Sequence, residues 1–272
     1  MINISIVLYR PNVNQVETLL AELVQIRCLN RIYLIDNSPV KSSIFDGLDK
    51  VCYIFNDGHN LGYGKGHNIA LRESVKDGID FHLVMNADVV VRAEDIDTIH
   101  EYVSRESQIG QLIPRVIYPD GSLQYVAKLL PTPLDVFGRR FLPKCWMKKR
   151  NARYELQAAD HNRMFNAPSL SGCFMFMRTA AVLQANLFDE RYFLYPEDVD
   201  LTRSIHRDWL TVYWPEVTIV HHHARGSYRN HHLLWVHIVN MCRYFKKWGW
   251  FYDPERRSMN KETLSAVMPR KK

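Results

Sequence analysis

The 272-residue chain has no run that approaches the roughly 18 consecutive apolar residues of a membrane-spanning helix. Met1 leads straight into Ile4-Ser-Ile-Val-Leu8, without the basic start of a secretory signal, so a cytoplasmic protein is expected. Cysteine is sparse: Cys28, Cys52, Cys145, Cys173 and Cys242 are odd in number and scattered, with no CxxC spacing. That argues against a disulfide framework or a cysteine-built metal site and predicts reduced thiols. No internal repeat and no linker of the kind that joins independent domains interrupts the chain. The first apolar run ends in Tyr9-Arg10-Pro11, with no glycine cradle, so the dinucleotide-binding fingerprint of an oxidoreductase is missing as well.

A hydrophobic fraction of 47% suffices for a substantial core. The formal net charge of +6 and a pI near 9.0 admit nucleic acid, an anionic membrane surface or a phosphorylated substrate as partner. Basic residues gather at Arg139-Arg140, 144–150, Lys246-Lys247, Arg256-Arg257 and 270–272, beside Trp146, Trp248, Trp250, Phe251 and Tyr252. This mixture suits a lipid headgroup interface, and it suits a solvated basic surface equally well. A nucleic-acid module would instead carry its cations and aromatics in one stripe. These clusters lie in the middle and at the end of the chain, apart from the motifs described next, so nucleic acid is not an expected partner.

Four apolar runs, 4–8, 32–35, 51–55 and 81–85, alternate with helical or loop segments, as buried parallel strands do. The β-α-β-α-β order predicts an α/β fold with a mostly parallel, doubly wound sheet and helices on both faces. Ligands in such sheets bind at the carboxyl ends of the strands. Those ends read Tyr9-Arg-Pro, Asp36-Asn37-Ser, Asn56-Asp-Gly and Asn86-Ala-Asp88, four polar segments converging on one crevice. Pro119-Asp-Gly121 is a turn between two further strands, and 129–165 reads as a loop or small helical insertion. A helix is expected from Pro196, a strand over 211–220 and a long apolar helix over 233–248.

Asn60-Leu-Gly62-Tyr-Gly64-Lys65-Gly-His-Asn68 sets three alternate glycines before an amphipathic helix, where a backbone can approach a phosphate or sugar; a tight strand-to-helix turn needs the same residues. Asp88, just past a strand, could hold Mg2+ or Mn2+, or merely end the strand. Glu197 and Asp198 in Pro-Glu-Asp-Val-Asp200 fall in a helix's first turn, where the dipole favours the ionised form a base requires; they are also ordinary helix caps. In His221-His-His223-Ala-Arg225-Gly-Ser227, His221 and His223 should share one side of a strand. Either could ligate a metal, with Arg225 reaching a phosphate oxygen.

Taken in order, these elements resemble the family 2 glycosyltransferases of the GT-A fold, especially a bacterial rhamnosyltransferase-like branch. The likeness runs from Ile4 through Tyr33-Leu-Ile-Asp36-Asn37-Ser, Asn60 to Asn68, Asn86-Ala-Asp88, Ser171-Gly172, Phe188-Asp-Glu190 and Glu197-Asp198-Val-Asp200 to the histidines. It covers residues 1 to about 230, the catalytic domain; 231–272 would be a helical, basic-aromatic extension in contact with membrane or acceptor. The resemblance implies an inverting, metal-dependent transfer from a nucleotide diphosphate sugar, dTDP-L-rhamnose or else a UDP-hexose. The acceptor it implies is a hydroxyl of a growing cell-surface polysaccharide, such as O-antigen or capsule, on a lipid diphosphate carrier. Tyr9, Asp36 and Asn37 would contact the nucleoside, and Asn60, Gly62, Gly64, Lys65, Asn68, Asn86, Gly172 and Arg225 the rest of the donor. Asp88 with His221 or His223 would hold the metal, and Asp198, with Glu197 as companion, would be the base. Asn86 stands where the family's DxD motif has its first carboxylate, and Ala87 where this branch commonly has proline.

Overall fold

The computed structural model describes residues 1–222 and 231–267, the side chains of Phe141, Lys144 and His231 apart. Its first half winds strands and helices alternately: β1 (Ile2–Leu8), α1 (Val13–Leu23), β2 (Leu29–Asp36), β3 (Val51–Phe55), α2 (Tyr63–Lys76) and β4 (Phe81–Met85). There follow β5 (Val89–Val90), α3 (Ala93–Arg105), β6 (Ile109–Ile117) and β7 (Ala127–Lys128). The expected insertion contains a π-turn (Leu134–Gly138), α4 (Arg139–Phe141) and α5 (Lys144–Tyr154). The chain continues with β8 (Phe165–Asn166), β9 (Ser169–Leu170), β10 (Phe174–Arg178), α6 (Thr179–Gln184), α7 (Glu197–Ile205) and β11 (Leu210–His221). Helices α8 (His231–Trp248) and α9 (Pro254–Val267) close the described chain.

The main sheet has the order β3-β2-β1-β4-β10-β6-β11-β5, with β8 beside β11, and β7 pairs β9 separately. Strands β1, β2, β3, β4, β6 and β11 run one way, while β10, β5 and β8 run against them. The mostly parallel sheet predicted from the apolar runs is therefore present. Leu8, Asp36 and Phe55 are register partners, which brings the ends of β1, β2 and β3 to one edge.

Alternation in the strands decides which layer each residue joins. Ile2, Ile4 and Ile6 are buried with Val16, Leu19, Leu20 and Leu23 of α1 and Ile96, Ile99 and Val103 of α3. The opposite face departs from the wholly apolar expectation. Asn3, Ser5 and His82 are fully buried there against α2. They persist because each finds a partner: Asn3 Nδ2 donates to Ser74 Oγ (2.8 Å), Ser74 Oγ meets His82 Nδ1 (2.7 Å), His82 Nε2 meets Ser5 Oγ (2.8 Å), and Ser5 Oγ meets His67 Nδ1 (2.7 Å). Burial drives the His82 pKa down to about 3, so this chain of bonds is uncharged.

The C-terminal helices pack into the body. Met241, Tyr244 and Phe245 of α8 form a cluster with Tyr192, Val136 and Phe137 of the insertion, Trp248 and Trp250. Arg203 on α7, 1% exposed, makes paired bonds to Asp253 at 2.7 and 2.8 Å, and Trp248 lies against the guanidinium groups of Arg203 and Arg207. Asn260 of α9 bonds both the N–H and the carbonyl of Leu130. Among the described residues no helix is long and apolar enough to cross a membrane.

Candidate active site

The candidate residues gather where β4 ends and β10 begins. Asn86 N–H donates to the Cys173 carbonyl (3.0 Å), and the adjacent Gly172 N–H donates to Asp198 Oδ2 (2.9 Å). This short run of backbone joins the Asn86–Asp88 segment to the start of α7. The second Asp198 oxygen accepts the Val199 N–H (2.8 Å). Gly172 is there for space: a Cβ would lie 3.1 Å from Asp198 Cβ. Burial pushes the Asp198 carboxyl above its ordinary pKa, against the two N–H bonds and the charge of Lys128. Glu197 is 4% exposed with an unpartnered Oε2, and burial, then the Asp198 charge, hold its pKa well above the carboxylate range. The helix dipole was expected to favour the ionised form of both acids. Desolvation opposes it at both positions, and at Glu197 burial and the Asp198 charge favour the protonated form.

Across the strand end, Asp88 Oδ1 lies 3.2 Å from His221 Nε2, and Asn86 Nδ2 lies 3.4 Å from the same nitrogen. Gln124 fixes the imidazole's sense. Its Nε2 donates to the His221 carbonyl (2.7 Å), so its Oε1, 3.0 Å from His221 Nδ1, must accept from that nitrogen. Nε2 faces the Asp88 carboxylate, so positive charge belongs between the two, either a proton on the imidazole or a divalent cation in its place. Burial lowers the His221 pKa, but bonding to Asp88 and Cys173 raises it further, to about 10. One carboxylate oxygen and one imidazole nitrogen fit a divalent cation such as Mn2+ or Mg2+ whose other positions are filled by phosphate oxygens. Among the described residues no group of three or more histidine, cysteine and acidic side chains forms a complete cage. His223 and Arg225, the other proposed ligands of metal and phosphate, lie outside the described residues.

The glycine-rich segment is occupied mostly by its own protein. Gly62 has φ +83°, and a Cβ there would sit 2.2 Å from the Phe193 carbonyl oxygen; Gly64 closes on the Phe188 side chain in the same way. Asn68 is buried, donating to the Phe188 carbonyl (2.9 Å) and accepting the Phe188 N–H (3.1 Å). Close packing, more than an approach to ligand, accounts for these three residues. Asp36 and Asn37 are likewise buried: Asp36 accepts from Tyr53 Oη (2.7 Å) and Ser38 N–H (2.8 Å), and Asn37 bonds the Gly62 carbonyl and Asn56. Tyr9, Asn60 and Lys65 are exposed, and Asn86 is half-buried.

Three neighbours were not singled out from the sequence. Tyr63 donates its hydroxyl to the Gly172 carbonyl. Lys128 is half-buried, and burial, then the charge of Arg139, lowers its pKa against the opposing charges of Glu155 and Asp198. Gln124 could have been noticed as the polar residue in Leu123-Gln-Tyr-Val126, but its partner lies 97 positions away.

A family model described as glycosyltransferase like family 2 matches residues 26–244. The chain belongs to that family. Over 184 residues this glycosyltransferase is 33% identical to N-acetylglucosaminyl-diphospho-decaprenol L-rhamnosyltransferase of Mycobacterium tuberculosis, in strains CDC 1551 / Oshkosh and ATCC 25618 / H37Rv. The match covers 64% of the chain and 59% of those relatives. Among solved structures it resembles GalNAc-T7 with UDP, GalNAc and Mn2+ at TM-score 0.58 and 13% identity, over 81% of this chain and 43% of that one. It also resembles residues 1–349 of S. aureus TarS at TM-score 0.51 and 13% identity, over 81% and 60%. These structures establish the GT-A fold. A nucleotide-dependent oxidoreductase and a basic nucleic-acid module, the competing readings of the sequence, are set aside.

Proposed function

We propose that the protein moves L-rhamnose from dTDP-L-rhamnose, with inversion at the anomeric carbon, to a hydroxyl of a saccharide carried on a lipid diphosphate during cell-surface polysaccharide synthesis. The mycobacterial relatives, named as L-rhamnosyltransferases acting on an N-acetylglucosaminyl-diphospho-lipid, support both the sugar and the acceptor class. One structural observation carries the chemistry: a pair suited to a cation, Asp88 and His221, is joined through Asn86, Cys173 and Gly172 to a half-buried carboxylate, Asp198.

The division of labour follows from the leaving group. A nucleotide diphosphate departs as an anion, so it needs charge neutralisation and no proton donor. A divalent cation at Asp88 and His221 would supply that neutralisation as a Lewis acid. Asp198 accepts the proton of the acceptor hydroxyl as its oxygen bonds to the anomeric carbon, opposite the breaking bond to the diphosphate, through an oxocarbenium-like transition state. A protonated Glu197 keeps a second full charge away from that base. Gly172, through its N–H, and Tyr63, through the Gly172 carbonyl, hold the carboxylate in position.

A panel of sugar nucleotides, each with Mg2+ or Mn2+, tests the reading by thermal stabilisation and by release of the nucleotide. The expected result is a response strongest with dTDP-L-rhamnose and dependent on the metal. A response confined to UDP-hexoses would replace the donor, and indifference to the whole panel would overturn the proposal.

A further inference from the structure

A cavity of about 690 Å3 lies between α9, the loop before it and the insertion, and its lining includes none of the residues of the candidate active site. Arg153, Arg257 and Lys261 line it, together with Phe251 and Tyr252. The lining also contains Asp253, but that carboxylate is held by Arg203. Arg256, another lining residue, is buried and donates to the carbonyls of Pro131, Gly249 and Trp250. Among the described residues no carboxylate pairs with Arg153, Arg257 or Lys261. Beside these cations Phe251 and Tyr252 are 89% and 86% exposed, a large apolar area offered to solvent.

Two observations decide among surfaces. The membrane contact expected from the sequence was spread over 231–272, yet most aromatics there are already packed: Tyr244 and Phe245 are buried, Trp248 lies against two arginines, and Trp250 stacks on Phe137. Those side chains are not available to a bilayer. The cavity, in contrast, combines uncompensated cations with exposed rings, the pairing that suits phosphate headgroups above an acyl layer. The geometry points to this cavity as a docking site for the anionic phospholipids of a bilayer, with Phe251 and Tyr252 entering the interface and Arg153, Arg257 and Lys261 meeting lipid phosphates. Asn260 hydrogen-bonds the same helix to Leu130, two residues beyond Lys128 of β7, whose charge the Asp198 carboxylate influences. The inference does not depend on the donor or acceptor assigned above, because turnover on a water-soluble acceptor analogue reads that assignment separately.

Flotation of the full chain with phosphatidylcholine vesicles, with and without phosphatidylglycerol, is the test. Binding is expected only with the anionic lipid and should weaken as salt rises. The triple variant Arg153→Gln, Arg257→Gln, Lys261→Gln should lose on the order of a hundredfold in partitioning, since each cation near such a surface contributes about fivefold. Phe251→Ala with Tyr252→Ala should also reduce binding, and both variants should keep wild-type melting temperature and turnover on the soluble acceptor. Equal flotation of the triple variant, or no flotation of the wild type, would overturn the assignment. Stabilisation by inorganic pyrophosphate, lost in the triple variant, without any vesicle binding would overturn it too, marking a site for a free anion.

Discussion

Replacing Asp198 by asparagine separates two effects that the structure makes unequal. The carboxylate accepts two backbone N–H groups, from Gly172 at 2.9 Å and Val199 at 2.8 Å. Asparagine offers one acceptor oxygen, so one N–H must face the amide NH2. A buried donor left unpaired costs about 1–3 kcal/mol. At about 2–4 °C per kcal/mol for a chain of this size class, the melting temperature should fall by roughly 2–12 °C. The chemical loss is larger: without a base to take the acceptor's proton, turnover should drop by about 100- to 10,000-fold. Donor affinity should be preserved, because the nucleotide and metal contacts lie elsewhere. The assay is single-turnover transfer below the variant's melting temperature, with donor binding measured by calorimetry. Gly172→Ala serves as companion, since its Cβ would press on Asp198 from 3.1 Å and displace a carboxylate that is still present. It should cost up to about tenfold, given that a 1 Å misplacement can cost about a hundredfold. Turnover of Asp198→Asn within about threefold of wild type would refute the base assignment.

Glu197→Gln should retain turnover within a few-fold, since it keeps the neutral form, and should also change the pH dependence of stability. A carboxyl whose folded pKa lies above its ordinary 4.5 binds its proton more tightly folded than unfolded, so its contribution is complete below about pH 4.5 and declines as pH rises toward the folded value. The decline amounts to about 1.4 kcal/mol per pH unit, and denaturant melts of the variant from pH 5 upward should show a flatter slope. Gln124→Ala should weaken Mn2+ binding by about 10- to 100-fold by freeing the His221 ring, measured by metal titration; unchanged affinity would remove His221 from the metal site. Asp253→Asn leaves the buried Arg203 charge without a full partner and should cost about 3–5 kcal/mol, read by denaturant melts, with little effect on donor affinity at temperatures where the variant is folded.

The parallel half of the fold was legible because its signal is local: strands β1 to β4 are short apolar runs, and each ends in polar residues that the common register brings to one edge. Antiparallel β10, wedged between β4 and β6, was not legible, since strand order depends on partners more than 60 residues away in the chain. Polarity alone did not separate ligand-facing residues from internal ones. Asn68 and Asp36 carry the chemistry of donor contacts, yet both are buried in hydrogen bonds to their own chain, while Gln124, which orients His221, has no motif. Glu197 shows a related limit. Helix position is visible in sequence, whereas burial, which outweighs it, comes from the packing of α7 under the strands.

The most decisive experiment incubates the protein with dTDP-L-rhamnose, Mn2+ and an N-acetylglucosaminyl-diphospho-lipid, and analyses the lipid by mass spectrometry and NMR. Gain of one deoxyhexose, with anomeric configuration opposite to that of the donor and abolished by Asp198→Asn, is the expected result. A product with retained configuration, or no transfer from any sugar nucleotide with the metal present, would contradict the mechanism built on Asp88, His221 and Asp198.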